Sequence, residues 1–223
     1  MQIAPVVLIK NEEAWIARVL RPLVAQFGIA LVGDTGSTDA TLSEAASVPG
    51  VEVIEMGPMD VQALGQARRS LGLRAQALGY DWIFQVDGDE LYHPAALAMI
   101  AATTPPPGGQ LGFTSMCTLD PDESGAIWEL DDVFCRAAVM PADVAWKGEY
   151  PFEAPVVFHD PGTFFYYPAV DGLRFHALHL HRFQRSRHDD AVVLRRQKQF
   201  QFALQDREVP RVQPFDSTGW WRP

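Results

Sequence analysis

Short apolar runs alternate with stretches of helical periodicity through the first part of the chain, a rhythm that predicts parallel strands joined by crossover helices. Residues 3–9 read as the first strand, with Pro5 near its start, where a missing amide is tolerated. A helix follows, because Trp15, Ile16, Val19, Leu20, Leu23, Val24 and Phe27 recur on one face. Glu12 and Glu13 fall in its expected first turn, where negative charge suits the helix dipole. Residues 29–32 predict a second strand, 40–46 a second helix capped by Ser37 or Thr38, and 51–56 a third strand. Residues 60–79 then predict a longer helix and 82–86 a fourth strand. The proline- and glycine-rich run 104–109 breaks the pattern and reads as a stiff loop. Beyond it the runs 110–119, 126–136, 163–167 and 173–181 are strand-like with proline-rich connections, which suits an antiparallel extension. Residues 189–204 carry a helical pattern, and 209–223 form a Pro- and Trp-containing tail.

The polar residues at the strand ends carry the candidate chemistry. Asn11, Asp34, Asp87 and Asp89 all fall where predicted strands finish, and open α/β sheets bind ligands at the carboxyl ends of their strands. Asp87-Gly88-Asp89-Glu90 places carboxylates on the rim of the fourth strand, and carboxylate oxygens suit hard divalent cations. A plain strand-ending turn is the competing reading of the same residues. Asp34 lies in Gly33-Asp34-Thr35-Gly36-Ser37-Thr38-Asp39, a loop able to hold a base or ribose, or simply to enter a helix. Arg68 on the long helix could pair with phosphate oxygens, whereas a solvated arginine is the ordinary alternative. Asp120-Pro121-Asp122-Glu123-Ser124-Gly125 reads as a hairpin turn.

His176, His179 and His181 share a strand pattern, and the parity of His179 and His181 puts that pair on one face, where either could ligate a metal. His188 is a weaker candidate, and His93 and His159 read as surface residues. The segment from Trp146 to Glu153 combines aromatics, carboxylates and turn formers, suiting sugar or acceptor binding with a carboxylate as general base. Neither a G-x-x-x-x-G-K-S/T loop nor a G-x-G-x-x-G run is present, so ATP-loop and nicotinamide chemistry find no motif.

Composition narrows the classes. A chain of 223 residues, 48% hydrophobic and 21% charged, is long enough for a substantial core and is not of disordered composition. Its formal net charge of -10 argues against nucleic acid as a partner. Cys117 and Cys135 show no metal-type spacing and make a disulfide framework unexpected. That cysteine usage makes a reducing cytoplasm the expected location, and no apolar run is long enough for a transmembrane segment, so a soluble protein is expected. Arg182, Arg185, Arg187, Arg195, Arg196 and Lys198 form a locally basic stretch that leaves peripheral contact at the inner membrane face open.

Taken in order, Lys10-Asn11-Glu12, Asp34-Thr35-Gly36-Ser37-Thr38-Asp39, Ala67-Arg68 and Asp87-Gly88-Asp89-Glu90 resemble the motifs of the GT-A glycosyltransferases, of the family 2 type. The resemblance covers about the first 95 residues; the second half matches more loosely. It implies one GT-A domain over residues 1–223: a nucleotide-sugar-binding half at 1–105, an acceptor half at 106–188, and a C-terminal helix and tail at 189–223. The fold class it implies is α/β, a mainly parallel central sheet flanked by helices with an antiparallel C-terminal extension.

The same resemblance implies a metal-dependent, inverting transfer of a sugar from a nucleotide diphosphate donor, a UDP-sugar by default, to a glycan, lipid, protein or small-molecule hydroxyl. Asp34 would hold the base or ribose, with Asn11 and Arg68 beside the donor and Asp87 near the ribose or sugar. Asp89 would bind Mn²⁺ or Mg²⁺, joined by His181 or His179. Glu153 would be the catalytic base, with Asp132 as the alternative; the histidine that precedes this glutamate in relatives is replaced by Phe152. A nucleotidyltransferase on a similar sheet, a metal-dependent hydrolase and a non-catalytic sugar-nucleotide-binding protein are the rival readings.

Overall fold

A computed structural model of the chain describes residues 2–103, 136–147, 177–180 and 186, and the strands 110–113, 117–119, 127–129, 154–155, 164–166 and 211–212. In chain order the elements are β1 (Ile3–Ile9), α1 (Ile16–Phe27), β2 (Ala30–Asp34), α2 (Thr41–Ala46), β3 (Val51–Glu55) and α3 (Leu64–Ala77), the last entered through a 3₁₀ turn at Val61–Ala63. There follow β4 (Trp82–Asp87), β5 (Glu90–Tyr92), α4 (Pro94–Ala102), β6 (Gln110–Phe113), β7 (Cys117–Leu119), β8 (Ile127–Glu129) and β9 (Arg136–Pro141). The remaining strands are β10 (Trp146–Lys147), β11 (Ala154–Pro155), β12 (Phe164–Tyr166), β13 (Ala177–His179) and β14 (Arg211–Val212).

Among the described residues the main sheet has seven strands in the order β12-β6-β9-β4-β1-β2-β3. The four strands from β4 to β3 are parallel, as crossover helices require. β9 runs antiparallel to both β4 and β6, and β12 lies parallel to β6. A second sheet, β14-β8-β7-β13-β5, begins where β4 ends, and β10 and β11 form a separate antiparallel pair. The expected α/β class is the observed one.

The parallel part is covered on both faces. Every residue of β1 is buried, and alternate positions divide between two cores. Ile3, Val7 and Ile9 meet Val19, Leu20 and Leu23 of α1 and Leu97 and Ile100 of α4. Ala4, Val6 and Leu8 meet Ala67, Leu71 and Ala75 of α3. A strand buried on both faces reads as an unbroken apolar run, which is why its periodicity of two is invisible in the sequence. Full burial of each large aliphatic side chain is worth about 1.5–3 kcal/mol.

On its inner side α3 presents glycine. A β-carbon at Gly72 would lie 2.2 Å from the carbonyl oxygen of Ala142, so the helix backbone packs directly on the chain that leaves β9. This close approach brings the N-terminal turns of α3 beside β10.

Several elements differ from the sequence expectation. α1 starts at Ile16, so Glu12 and Glu13 precede it; the Glu12 amide donates to Thr41 Oγ1 at 2.6 Å, and the Glu13 carboxylate accepts from the Ala40 amide at 3.0 Å. Both are used to tie the end of β1 to the segment entering α2. Ser37 and Thr38 do not cap α2; Asp39 accepts from the Thr41 amide and hydroxyl instead. β5 and α4 have no counterpart in the expected pattern. His93, expected at the surface, is half-buried and caps α4, its Nδ1 accepting from the Ala95 amide at 3.1 Å, with Pro94 at the first helical position. The runs 110–119 and 126–136 each divide, β6 and β9 joining the main sheet while β7 and β8 join the second. β7 and β8 pair antiparallel, with Leu119 opposite Ile127, although 120–126 lies outside the described residues. The helical pattern at 189–204 also lies outside them. Among the described residues no helix is long and apolar enough to cross a membrane.

Candidate functional site

Strand order reverses between β1, which leads to β2 and β3 on one side, and β4 on the other. A crevice outside the carboxyl ends of these two strands is where an open α/β sheet admits a ligand. Asn11 follows β1, and Asp87 ends β4.

The turn after β4 is fastened from several directions. Gly88 donates its amide to the Leu8 carbonyl at 3.1 Å, and a β-carbon there would lie 3.0 Å from Ile9 Cγ2 and 3.1 Å from Glu12 Cγ. Glycine is therefore what lets the turn lie across the end of β1. The Asp89 carbonyl accepts from the Leu180 amide at 2.7 Å. Glu90 is 0% exposed, and its Oε2 accepts from the Asp87 amide at 3.0 Å and from the Tyr92 hydroxyl at 3.2 Å. The Tyr92 ring is buried edge-on against Phe84 of β4, their centroids 4.9 Å apart. Burial, and after it the charge of Asp87, raise the Tyr92 hydroxyl well above its ordinary pKa, so it remains a donor.

Asp89 and His179 meet here. β13 pairs antiparallel with β5, His179 opposite Glu90, and His179 Nε2 lies 3.1 Å from Asp89 Oδ2. The Asp89 side chain is 7% exposed and that of His179 34%, so the pair is buried on the carboxylate side and open on the imidazole side. A carboxylate and an imidazole are an O/N donor set compatible with Mn²⁺, and less so with Mg²⁺, which favours oxygen. Among the described residues no group of three or more His, Cys, Asp or Glu side chains is gathered for a metal, so this pair would supply part of a shell.

Arg68 stands beside them. It is buried on α3, its Nη2 donates to Asp87 Oδ1 at 3.0 Å, and its guanidinium lies 5.6 Å from the centroid of the Trp146 ring. Arg68 is thus not the solvated arginine of the alternative reading; it is buried in an ion pair with Asp87, with an aromatic face on its other side. Trp146 opens β10, whose partner β11 begins one residue after Glu153.

The second wall is the loop after β2. Asp34 is buried, and its oxygens accept from the Gly36 amide at 3.0 Å, the Ser37 amide at 3.0 Å and the Ser37 hydroxyl. It holds its own loop in shape, and a carboxylate has further acceptor capacity beyond these bonds. Asn11 binds this loop to β1: its amide donates to Ser37 Oγ at 2.9 Å, and its Oδ1 accepts from the Thr38 amide at 2.9 Å. Asp39 continues the same network. Burial raises its carboxyl, but donors from Thr41, Ser186 and the Glu13 backbone outweigh burial and leave it below the usual carboxylate range.

Asn11 adopts φ 56°, the left-handed region in which asparagine is tolerated. Asn11→Ala is expected to lower stability by about 1–2 kcal/mol, from the backbone conformation and the lost partner of the Thr38 amide. Asn11→Gly should recover the conformational share. Urea unfolding of the two variants checks this: equal stability of Asn11→Ala and wild type would remove the part given to Asn11 in tying the loop to β1.

Of the residues singled out in the sequence, Asn11, Asp34, Arg68, Asp87, Asp89 and His179 gather at this one edge of the sheet. Glu153, Asp132 and His181 lie outside the described residues, as do His159, His176 and His188. Glu90, Tyr92, Thr41 and Ser186 were not foreseen as parts of the site. The signal for Glu90 was present in its place next to Asp89, but its burial depends on β5 entering a second sheet.

No protein-family model matches the chain, and comparison with curated proteins gives no match. Solved structures similar to it include glucosyl-3-phosphoglycerate synthase from Mycobacterium tuberculosis, in complex with Mn²⁺, UDP-glucose and phosphoglyceric acid, at 21% identity and a TM-score of 0.38. That match covers 55% of this chain and 45% of the synthase, so this chain spans less than half of the synthase's length. A 4-diphosphocytidyl-2C-methyl-D-erythritol synthase is similar at 12% identity and a TM-score of 0.43, over 64% of this chain and 76% of that one. HddC from Yersinia pseudotuberculosis is similar at 10% identity and a TM-score of 0.45, over 74% of this chain and 89% of that one.

Proposed function

We propose that this chain transfers a sugar from a nucleoside-diphosphate donor to an acceptor hydroxyl, with inversion and with a divalent cation at the donor. The observation that carries this reading is the meeting of Asp89 with His179 beside the Arg68–Asp87 pair, at the switch point of the sheet. Asp89 and His179 would hold the cation, Mn²⁺ fitting their O/N donor set better than Mg²⁺. When bound, it supplies positive charge to the oxygens of the departing nucleoside diphosphate.

In this reading the protein's own residues do the binding and orienting. Asn11 keeps the loop after β2 in the shape that presents Asp34 to the base and ribose. Asp87 faces the ribose or sugar, its charge balanced by Arg68. Arg68, held between Asp87 and Trp146, brings its positive charge to the diphosphate side. Glu153 takes the proton of the acceptor hydroxyl, with Asp132 as the alternative base, and a base opposite the leaving group gives inversion. The basis for Glu153 is its place in the chain: it directly precedes β11, whose partner strand β10 carries Trp146 onto Arg68.

A thermal-shift panel of UDP, GDP, dTDP and CDP, each with and without Mn²⁺, tests the donor site. Stabilisation by one of them only when Mn²⁺ is present is the expected result. No shift with any nucleotide would overturn the reading. With the base known, release of a nucleoside diphosphate from the matching sugar nucleotide is expected; release of pyrophosphate from a nucleoside triphosphate instead would favour nucleotidyl transfer.

A further inference from the structure

The structure assigns Glu90 the part of a positioning residue: its buried carboxylate sets the Asp87-Gly88-Asp89 turn so that Asp89 is delivered to His179. The inference rests on the metal reading of Asp89 and His179 given above, and it adds a residue that touches neither cation nor donor.

The local geometry leads to it. Asp87 is the last residue of β4 and Glu90 the first of β5, so only two residues carry the chain from β4 in one sheet to β5 in the other. The turn's direction decides where the Asp89 side chain goes. Of the contacts that fix this direction, Gly88 on Leu8 and Leu180 on Asp89 are backbone to backbone, the first needing glycine for its close approach and neither using a side chain as acceptor. The Asp87 amide is different, since it is met by a side chain, Glu90 Oε2, at 3.0 Å.

Placing a carboxylate at a 0% exposed position is costly unless donors meet it. Here the Tyr92 hydroxyl converges with the Asp87 amide on the same oxygen, and Tyr92 is itself locked edge-on against Phe84. A carboxylate held by a buried phenol is a rigid post. A turn anchored to it is kept in one conformation, which is what a ligand-bearing turn needs, because metal ligands held in place by outer partners bind more tightly than loose ones. An apolar residue could fill the same volume, but it could not accept from the Asp87 amide.

The experiment uses the full chain in four forms: wild type, Glu90→Ala, Glu90→Gln and Glu90→Asp. Mn²⁺ affinity is read from the electron paramagnetic resonance signal of free Mn²⁺, and hydrogen exchange is read at the Asp87 amide. Glu90→Ala is expected to weaken Mn²⁺ binding by roughly 10- to 100-fold and to speed exchange at Asp87. Glu90→Gln, which keeps an acceptor oxygen, should restore most of both. A role confined to stability would lower the melting temperature and leave the Mn²⁺ affinity of the folded protein unchanged, and that result overturns the inference. Should Glu90→Ala fail to fold, Glu90→Asp decides, because it keeps the charge but draws the oxygen away from the amide: weakened Mn²⁺ binding supports the inference and wild-type affinity overturns it. If wild type itself takes up no Mn²⁺, the metal reading fails, and Asp87 exchange alone judges Glu90. Faster exchange in the variants keeps its turn-setting part, and unchanged exchange removes it.

Discussion

Asp89→Ala is expected to abolish the Mn²⁺-dependent stabilisation that a nucleoside diphosphate gives the wild type. The substitution removes the carboxylate that meets His179 Nε2 at 3.1 Å and leaves the part-exposed imidazole as the remaining member of the donor pair, a weak ligand for a hard cation. A ligand present at 100 times its dissociation constant stabilises the native state by about 2.7 kcal/mol. For a chain of this size that is a melting-temperature rise of roughly 5–10 °C, and it should fall to near zero in the variant. The unliganded protein should lose little, because the bond that ties this turn to the segment after β13 runs from the Leu180 amide to the Asp89 carbonyl and survives the change. Asp89→Asn keeps the side-chain shape and loses the charge, so it should behave like Asp89→Ala with Mn²⁺ and like wild type without it. Equal Mn²⁺-dependent shifts in wild type and Asp89→Ala would move the cation elsewhere.

Gly72→Ala is expected to destabilise the fold, although helix propensity alone would favour it. Replacing glycine by alanine inside a helix gains about 0.8–1.0 kcal/mol. Against that, the new methyl would stand 2.2 Å from the Ala142 carbonyl oxygen, a backbone atom with no rotamer to change. Overpacking of this kind costs about 1–3 kcal/mol and occasionally more; so tight a contact belongs at the upper end, leaving a net loss of about 2 kcal/mol. The helix would have to retreat from the segment after β9, drawing Arg68 off the Trp146 face that it covers at 5.6 Å. The double consequence is a lower unfolding midpoint in urea and a weakened nucleotide-induced shift. Gly79, at φ 90° with no atom within 4 Å of a β-carbon, is a control: there alanine meets backbone strain but no collision. A Gly72→Ala protein as stable as wild type would mean that the helix has room to move.

The sequence announced β1, β2 and β4 clearly because a strand buried on both faces has to be apolar throughout, and residues 3–9 and 82–86 are close to that. Asp87 and Asp89 were legible for a related reason, as charges placed at the edge of such a run. The role of Glu12 was not. A glutamate next to an amphipathic run looks like a first-turn residue, and only the proximity of the β1 and β2 ends, bringing Thr41 to the Glu12 amide, makes it a tie instead. Parity put His179 and His181 on one face, but the register that sets His179 opposite Glu90 comes from pairing with β5, a strand of three residues too short to leave a pattern. His93 was misjudged because a histidine before proline looks exposed until a helix is known to start there.

The bond between Asp89 and His179 also bears on the order in which the molecule is made. These residues are 90 apart in the chain, and Ser186, which supports Asp39 in the other loop, is farther still from its partner. All four strands from β1 to β4, with Leu8 opposite Asp87, are made once residue 87 has left the ribosome, whereas the partner of Asp89 is made 90 residues after it. The aspartates can therefore stand on a paired sheet before the imidazole has been made. A chain emerging from synthesis would carry its four parallel strands while half of the Asp89–His179 contact was still to be made, and that contact would form only when 177–180 docks against β5.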